Sequence, residues 1–100
     1  MNKVTFRFDF SAVNNSRSAF GQAKIITDNG TYYADINYFD ETDEGDDYGR
    51  GFQVEINKDH ELLAHRIIDL DSFSYRYISS PKRIEEQLGD DLIRIVRNIH

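Results

Sequence analysis

Apolar and polar side chains alternate along several short runs of this chain. Val4, Phe6, Phe8 and Phe10, for example, are separated by single polar residues. Successive residues of a strand point to opposite faces of a sheet, so this period of two predicts a strand with one buried face. The same reasoning predicts further strands over residues 19–27, 31–39, 52–56, 62–68 and 73–78.

The connections between these runs carry recognisable turn residues. Asp28-Asn29-Gly30 predicts a tight hairpin, because Asn and Gly tolerate the positive φ angles that such turns require. Residues 57–60 are ambiguous, since they suit either the start of a helix over 59–68 or a hairpin turn with His60 in the left-handed conformation. We favour the hairpin, because the strand at 52–56 needs a partner.

The pattern changes after residue 78. Ser80 suits the cap of a helix, and Pro81 suits its first position, where no backbone donor is needed. Apolar residues then recur at spacings of three and four, which predicts a helix with one apolar stripe, formed by Ile84, Leu88, Leu92, Ile95 and Ile99. Gly89 lies inside this helix and lowers its stability by about 1 kcal/mol relative to Ala.

Together these elements predict an α+β fold: an antiparallel β-sheet of five to six strands with one C-terminal α-helix packed on one face. One hundred residues without a linker or a repeat indicate a single domain over 1–100.

Composition narrows the range of functions. The chain has no cysteine, which excludes disulfides and thiol catalysis, and no apolar run long enough for a signal peptide or a membrane span. We therefore expect a cytoplasmic protein without a membrane partner. The net charge of −6 argues against direct binding of nucleic acid, which needs a basic face.

The negative charge is concentrated in one stretch. Residues 35–47 contain no Lys or Arg, and without their seven acids the chain has 11 acidic and 12 basic residues. Residues 40–51 also contain three Gly, so they predict a loop. The acids are Asp35, Asp40, Glu41, Asp43, Glu44, Asp46 and Asp47.

Three interpretations of this acidic loop compete. It is a solvated surface, or a docking surface for a basic protein, or a cation site. Asp40, Thr42 and Glu44 match EF-hand spacing, but Gly51 stands where the bidentate Glu should be and the flanks predict strands. We therefore expect no EF-hand.

Other chemistry has weak support in the sequence. His60 and His65 are five residues apart, which places them on different sides of a strand and poorly aligned on a helix. No Gly-x-Ser-x-Gly nucleophile motif is present. We expect no catalytic residue, metal or cofactor.

The sequence thus favours a small acidic non-enzymatic binding protein that engages and inhibits a basic protein, such as a nuclease or another nucleic-acid-binding protein. Immunity proteins and DNA mimics are analogous in charge and size. One alternative is a small-ligand-binding domain or enzyme with a pocket between sheet and helix. Another is a homodimer joined through an edge strand or through the aromatic residues that occur on both faces of the third strand. The expected binding residues are Asp40, Glu41, Asp43, Glu44, Asp46 and Asp47, with Tyr33, Tyr38 and Tyr48 as anchors.

Overall fold

A computed structural model describes residues 2–15, 17–40 and 49–99. Within this part of the chain, five strands form one antiparallel sheet in the order β1-β2-β3-β4-β5, and a long helix follows them. The predicted α+β fold with a C-terminal helix is confirmed. The elements are β1 (Lys3–Arg7), α1 (Ser11–Asn14), β2 (Ala19–Thr27), β3 (Gly30–Asp40), β4 (Arg50–Lys58), β5 (Glu61–Asp69) and α2 (Pro81–Ile99).

One face of the sheet is buried under α2, and the alternation along the strands explains which side chains lie there. Strand pairing sets Ala23 beside Ala34, and Ile36 beside Val54, so apolar residues of neighbouring strands share this face. The helix adds its own apolar stripe to the same core. The largest buried side chains include Tyr32, Tyr38, Phe52, Ile25, Ile36, Ile56, Leu88, Leu92 and Val96.

The buried stripe of α2 follows the predicted spacing with one change. Ile84, Leu88 and Leu92 are buried as expected, but Val96 completes the stripe at the next interval of four. Ile95, which the spacing also placed on the stripe, is only half-buried.

Two tight hairpins connect β2 to β3 and β4 to β5. Gly30 has a φ of 118°, and Asp59 and His60 have φ values of 52° and 67°. Two successive left-handed residues suit the right-handed twist of paired strands. The hairpin interpretation of residues 57–60 is therefore confirmed, and residues 61–69 form a strand rather than a helix.

The predicted sixth strand over residues 73–78 is wrong. The amide of Arg76 donates to the carbonyl of Ser72 at 2.9 Å, so the backbone makes a helix-like turn. Such a turn places Phe73 and Tyr77 on one side, where they are 81% and 78% exposed, and leaves Tyr75 buried on the other. The alternating pattern gave the wrong prediction because the hydroxyl of Tyr75 donates a hydrogen bond to Asp91 of α2, and the segment does not pair with a strand.

The connection between β1 and β2 contains the single helical turn α1. The backbone amide of Ser11 donates to the carboxylate of Asp9 at 3.0 Å. Val13 on this turn is buried against the core. Four helical residues are too few to produce a periodic sequence pattern, so such a turn cannot be predicted from hydrophobic spacing.

Two glycines of opposite character provide a test of this packing. A Cβ on Gly89 would lie 3.6 Å from Cε2 of Phe6, an ordinary contact, whereas a Cβ on Gly21 would overlap the carbonyl oxygen of Arg7. Because Ala favours helices, we expect Gly89→Ala to raise the free energy of unfolding by about 0.5–1 kcal/mol. We expect Gly21→Ala to lower it by about 1–3 kcal/mol. Urea denaturation measures both, and a destabilised Gly89→Ala variant would contradict the packing of α2 on β1.

Candidate functional site

The connections between strands differ sharply at the two ends of the sheet. At one end, which we call the turn end, β2–β3 and β4–β5 are joined by the tight hairpins at Asp28-Asn29 and Asp59-His60. The chain leaves β1, β3 and β5 at the other end, which we call the loop end, so the long connections over residues 8–18, 41–49 and 70–80 all begin there. Binding residues are commonly carried on loops held by a rigid scaffold, so the loop end is the first place to look for a site.

The predicted acidic loop begins and ends at the loop end. Asp40 is the last residue of β3 and pairs across the ladder with Arg50, the first residue of β4. The residues between these strand ends include most of the predicted binding residues and the positions that resemble an EF-hand. Glu41, Thr42, Asp43, Glu44, Gly45, Asp46, Asp47 and Tyr48 lie outside the described residues.

Two further carboxylates border this connection. Asp69 pairs with Gly51 at the start of β4, and the amide of Asp71 donates to Oδ1 of Asp69 at 2.8 Å. A Cβ on Gly49 would lie 2.5 Å from Oδ2 of Asp71, so this carboxylate touches the returning chain. Neither acid belongs to the predicted acidic loop, because both lie about twenty residues further along the chain. The register of the predicted β4–β5 hairpin would have located them.

An exposed cluster of two aromatic rings and a guanidinium adjoins these acids. It consists of Phe73, Arg76 and Tyr77, and we call it the aromatic turn. Cζ of Arg76 lies 6.0 Å from the ring centre of Phe73 and 5.3 Å from that of Tyr77. Aromatic residues and Arg are the residue types enriched at the centres of protein interfaces. Covering a ring that is four-fifths exposed removes a large apolar area from water, which favours binding.

A buried polar contact fixes the aromatic turn to α2. Asp91 is 4% exposed and accepts hydrogen bonds from the hydroxyl of Tyr75 and from the guanidinium of Arg94. Nε2 of Gln87 is a further donor at 3.4 Å. Burial, together with the hydrogen bond to the Asp91 carboxylate, raises the pKa of Tyr75 well above its ordinary value. The Tyr75 hydroxyl therefore stays protonated as a donor throughout the physiological range.

A shallow pocket lies beside this contact, between the edge strand β5 and α2. Its volume is about 260 Å³, and Arg66, Ser72 and Arg94 contribute to its lining. Ligand pockets usually measure about 300–1,000 Å³ and enclose most of their ligand. Both guanidinium groups are already bonded within the chain, Arg66 to the carbonyl of His65 and Arg94 to Asp91. The alternative of a ligand site between sheet and helix gains little from this geometry.

The predicted anchors Tyr33 and Tyr38 lie apart from each other and differ in their exposure to solvent. Tyr38 is 1% exposed, its hydroxyl donates to the carbonyl of Val13 at 3.4 Å, and burial raises its pKa. Its ring therefore packs in the core. Tyr33 is 47% exposed but lies seven residues before Asp40 in the same strand. That separation corresponds to roughly 23 Å, so Tyr33 lies away from the loop end.

Tyr33 belongs instead to the face of the sheet opposite α2, which we call the open face. At its centre the Asp35 carboxylate accepts hydrogen bonds from Gln22 at 2.9 Å and from Asn57 at 3.3 Å. Aromatic residues on both faces of β3 were noted in the sequence, and the two sides prove different. The Tyr32 side is buried, whereas the Tyr33 side bears exposed apolar groups.

The remaining candidate chemistry is scattered. His60 is in a hairpin at the turn end, and His65 lies on the open face of β5. Among residues 2–15, 17–40 and 49–99, no three His, Asp or Glu side chains come together as metal ligands. Over the same residues, no helix has the length and apolar character to cross a membrane.

Comparisons with protein-family models, with curated proteins and with solved structures find no match to this chain.

The contact between Tyr75 and Asp91 provides a stability test. We expect Tyr75→Phe to lower the free energy of unfolding by about 1–3 kcal/mol, because a buried carboxylate oxygen loses its donor. Tyr77→Phe removes the same hydroxyl from an exposed ring and is the matched control, with an expected change below about 0.5 kcal/mol. Thermal and urea denaturation measure both, and equal effects of the two substitutions would contradict the proposed anchoring.

Proposed function

We propose that this chain is a small, non-enzymatic binding protein whose loop end docks on the basic surface of another protein and inhibits it. One observation carries the proposal. The acidic connection leaves the sheet at Asp40 and the chain returns at Gly49, where it touches the Asp71 carboxylate, while Asp69 pairs with Gly51. The aromatic turn begins two residues after Asp71 in the sequence, on a fold whose other end is closed by hairpins.

Electrostatics supports a basic partner. Asp40, Asp69 and Asp71 lie at the loop end, and the connection that follows Asp40 in the sequence contains five further acids. Concentrated charge of one sign speeds association with a surface of the opposite sign and selects against acidic partners. Nucleic-acid-binding proteins, including nucleases, present such basic surfaces because they must neutralise phosphates.

The aromatic turn would provide the short-range part of the contact. Phe73 and Tyr77 project from a segment that Tyr75 fixes to the helix, so little conformational entropy is lost when the rings are covered. The guanidinium of Arg76 lies near both ring centres, an arrangement in which a cation is attracted to the ring faces. Side chains with this composition commonly contribute most of the binding energy at an interface.

The proposal groups the protein with immunity proteins and DNA mimics by mode of action. It also implies a cytoplasmic location, with which a cysteine-free chain is compatible. The proposed binding residues are those of the acidic connection, including Tyr48, together with Asp69, Asp71 and the aromatic turn. The buried Tyr38 and the distant Tyr33 are not part of this surface.

Affinity capture with three immobilised proteins tests the proposal. One column carries the native chain, and a second carries a variant with Asp43→Asn, Glu44→Gln, Asp46→Asn and Asp47→Asn. The third carries Asp59→Asn, Glu61→Gln, Glu85→Gln and Glu86→Gln, which makes the same charge change on exposed or half-buried positions outside the acidic connection. Any retained protein is then purified and titrated against each chain by calorimetry.

We expect the native chain and the third variant to retain a basic protein. Its affinity for the second variant, which lacks four acids of the acidic connection, should be at least tenfold lower. We also expect its association rate to fall steeply between about 50 mM and 500 mM salt. Equal affinity for all three chains would contradict the role of the acidic connection.

The anchors are tested with the same purified partner. We expect Phe73→Ser with Tyr77→Ser to raise the dissociation rate while the salt dependence of association remains, because these rings act only after encounter. An unchanged dissociation rate would remove the aromatic turn from the interface.

A further inference from the structure

The open face of the sheet carries large apolar side chains that the fold itself does not cover. Antiparallel sheets often leave one face to water, but that face is then usually polar. Here five large apolar residues project from it, and Phe20 and Ile67 are 68% and 61% exposed. They are Phe20, Ile26, Tyr33, Leu62 and Ile67. Large apolar side chains on a face that the fold leaves open are candidates for burial in an interface.

The charges on the open face are divided between its two sides. Lys3, Arg7 and Lys24 lie on β1 and β2, whereas Asp35 and Glu55 lie on β3 and β4. The face as a whole therefore lacks the single sign that a nucleic acid or a uniformly charged protein would require. A surface that is basic on one side and acidic on the other is complementary to itself when it is turned round.

We propose that the open face packs against the same face of a second copy of this chain. In such a dimer the twofold axis runs parallel to the strands, between β2 and β3. Rotation about this axis places β1 over β4 of the partner subunit and β2 over its β3, while every residue keeps its height along the strands. An axis perpendicular to the strands would instead place β1 over β1 and set like charges against each other.

The strand register then predicts specific contacts. Arg7, Gln22, Asp35 and Glu55 form one row across the sheet. Arg7 therefore faces the partner subunit's Glu55, and Gln22 faces the partner subunit's Asp35. Because the axis is twofold, each pair forms twice.

The neighbouring row adds a contact of a different kind. Lys24 and Tyr33 are cross-strand partners within the chain. In the dimer Lys24 lies over Tyr33 of the partner subunit, where an ammonium group above an aromatic ring is favourable. Phe20 and Ile26 lie on either side of this centre, and Leu62 and Ile67 form its border on β5.

The size of the face indicates a weak dimer. Four strands spaced about 4.8 Å apart, with about nine residues rising about 3.3 Å each, cover roughly 600 Å² per copy. Stable interfaces bury about 800 Å² per partner. We therefore expect dimers that form and dissociate with concentration in the micromolar range.

Sedimentation velocity over protein concentrations of about 1–300 µM tests the proposal, because that range brackets the expected affinity. We expect Arg7→Glu and Glu55→Arg each to weaken dimerisation at least tenfold, and the doubly substituted chain to recover it. Arg7 and Glu55 are three strands apart in the same chain, about 14 Å, so recovery cannot come from an internal ion pair.

Two control variants test whether the loss of dimerisation is specific to the open face. Lys82→Glu changes the charge of an exposed residue on α2 and should leave dimerisation unchanged. Phe73→Ser with Tyr77→Ser changes the loop end and should also leave it unchanged, so this inference and the proposed function can fail separately. Circular dichroism verifies that each variant is folded.

Three results would overturn the inference. The first is a native chain that stays monomeric at every concentration. This holds equally if the open face of that monomer binds an oligothymidine, added as a probe for nucleic acid. The second is a dimer that neither Arg7→Glu nor Glu55→Arg weakens. The third is a doubly substituted chain that fails to recover dimerisation.

Discussion

The packing of α2 on one face of the sheet is the contact on which the rest of the structure depends. Leu88 and Leu92 of the helix and Ile36, Val54 and Ile56 of the sheet are fully buried in a common core. A strand sends alternate side chains to opposite faces, so covering one face necessarily leaves the other without the helix. The buried core on one side and an open face on the other are both consequences of this arrangement.

The same contact explains why the loop end can carry a binding surface. The helix holds the 70–80 connection through the buried pair of Tyr75 and Asp91, and that connection in turn touches the chain returning at Gly49. A buried hydrogen-bonded carboxylate is costly to expose, so it keeps the backbone around the aromatic turn in place. The proposed partner surface and the proposed dimer surface therefore share a rigid scaffold but use different residues.

Much of this fold could be predicted from the sequence because local rules and tertiary packing agree. Strand β2 has the predicted bounds, and His60 adopts the left-handed conformation that a hairpin needs. The failures have specific physical causes. Residues 73–78 alternate like a strand, but the hydrogen bond from Tyr75 to the helix makes a turn the better solution. Alternation groups Tyr38 with Ala34 and Ile36 but does not reveal which face the helix covers. Only the strand register places Asp69 beside a connection some twenty residues earlier.

The division of the sheet into a helix-covered face and an open face is tested most directly by oxidative footprinting of the tyrosines, read by mass spectrometry. In dilute solution Tyr33 and Tyr77 should be modified rapidly, whereas Tyr32, Tyr38 and Tyr75 should be protected. As the protein concentration rises, Tyr33 should become protected while Tyr77 stays reactive. Rapid modification of Tyr32 in the folded protein, or equal reactivity of Tyr32 and Tyr33, would contradict the one-sided packing of the sheet.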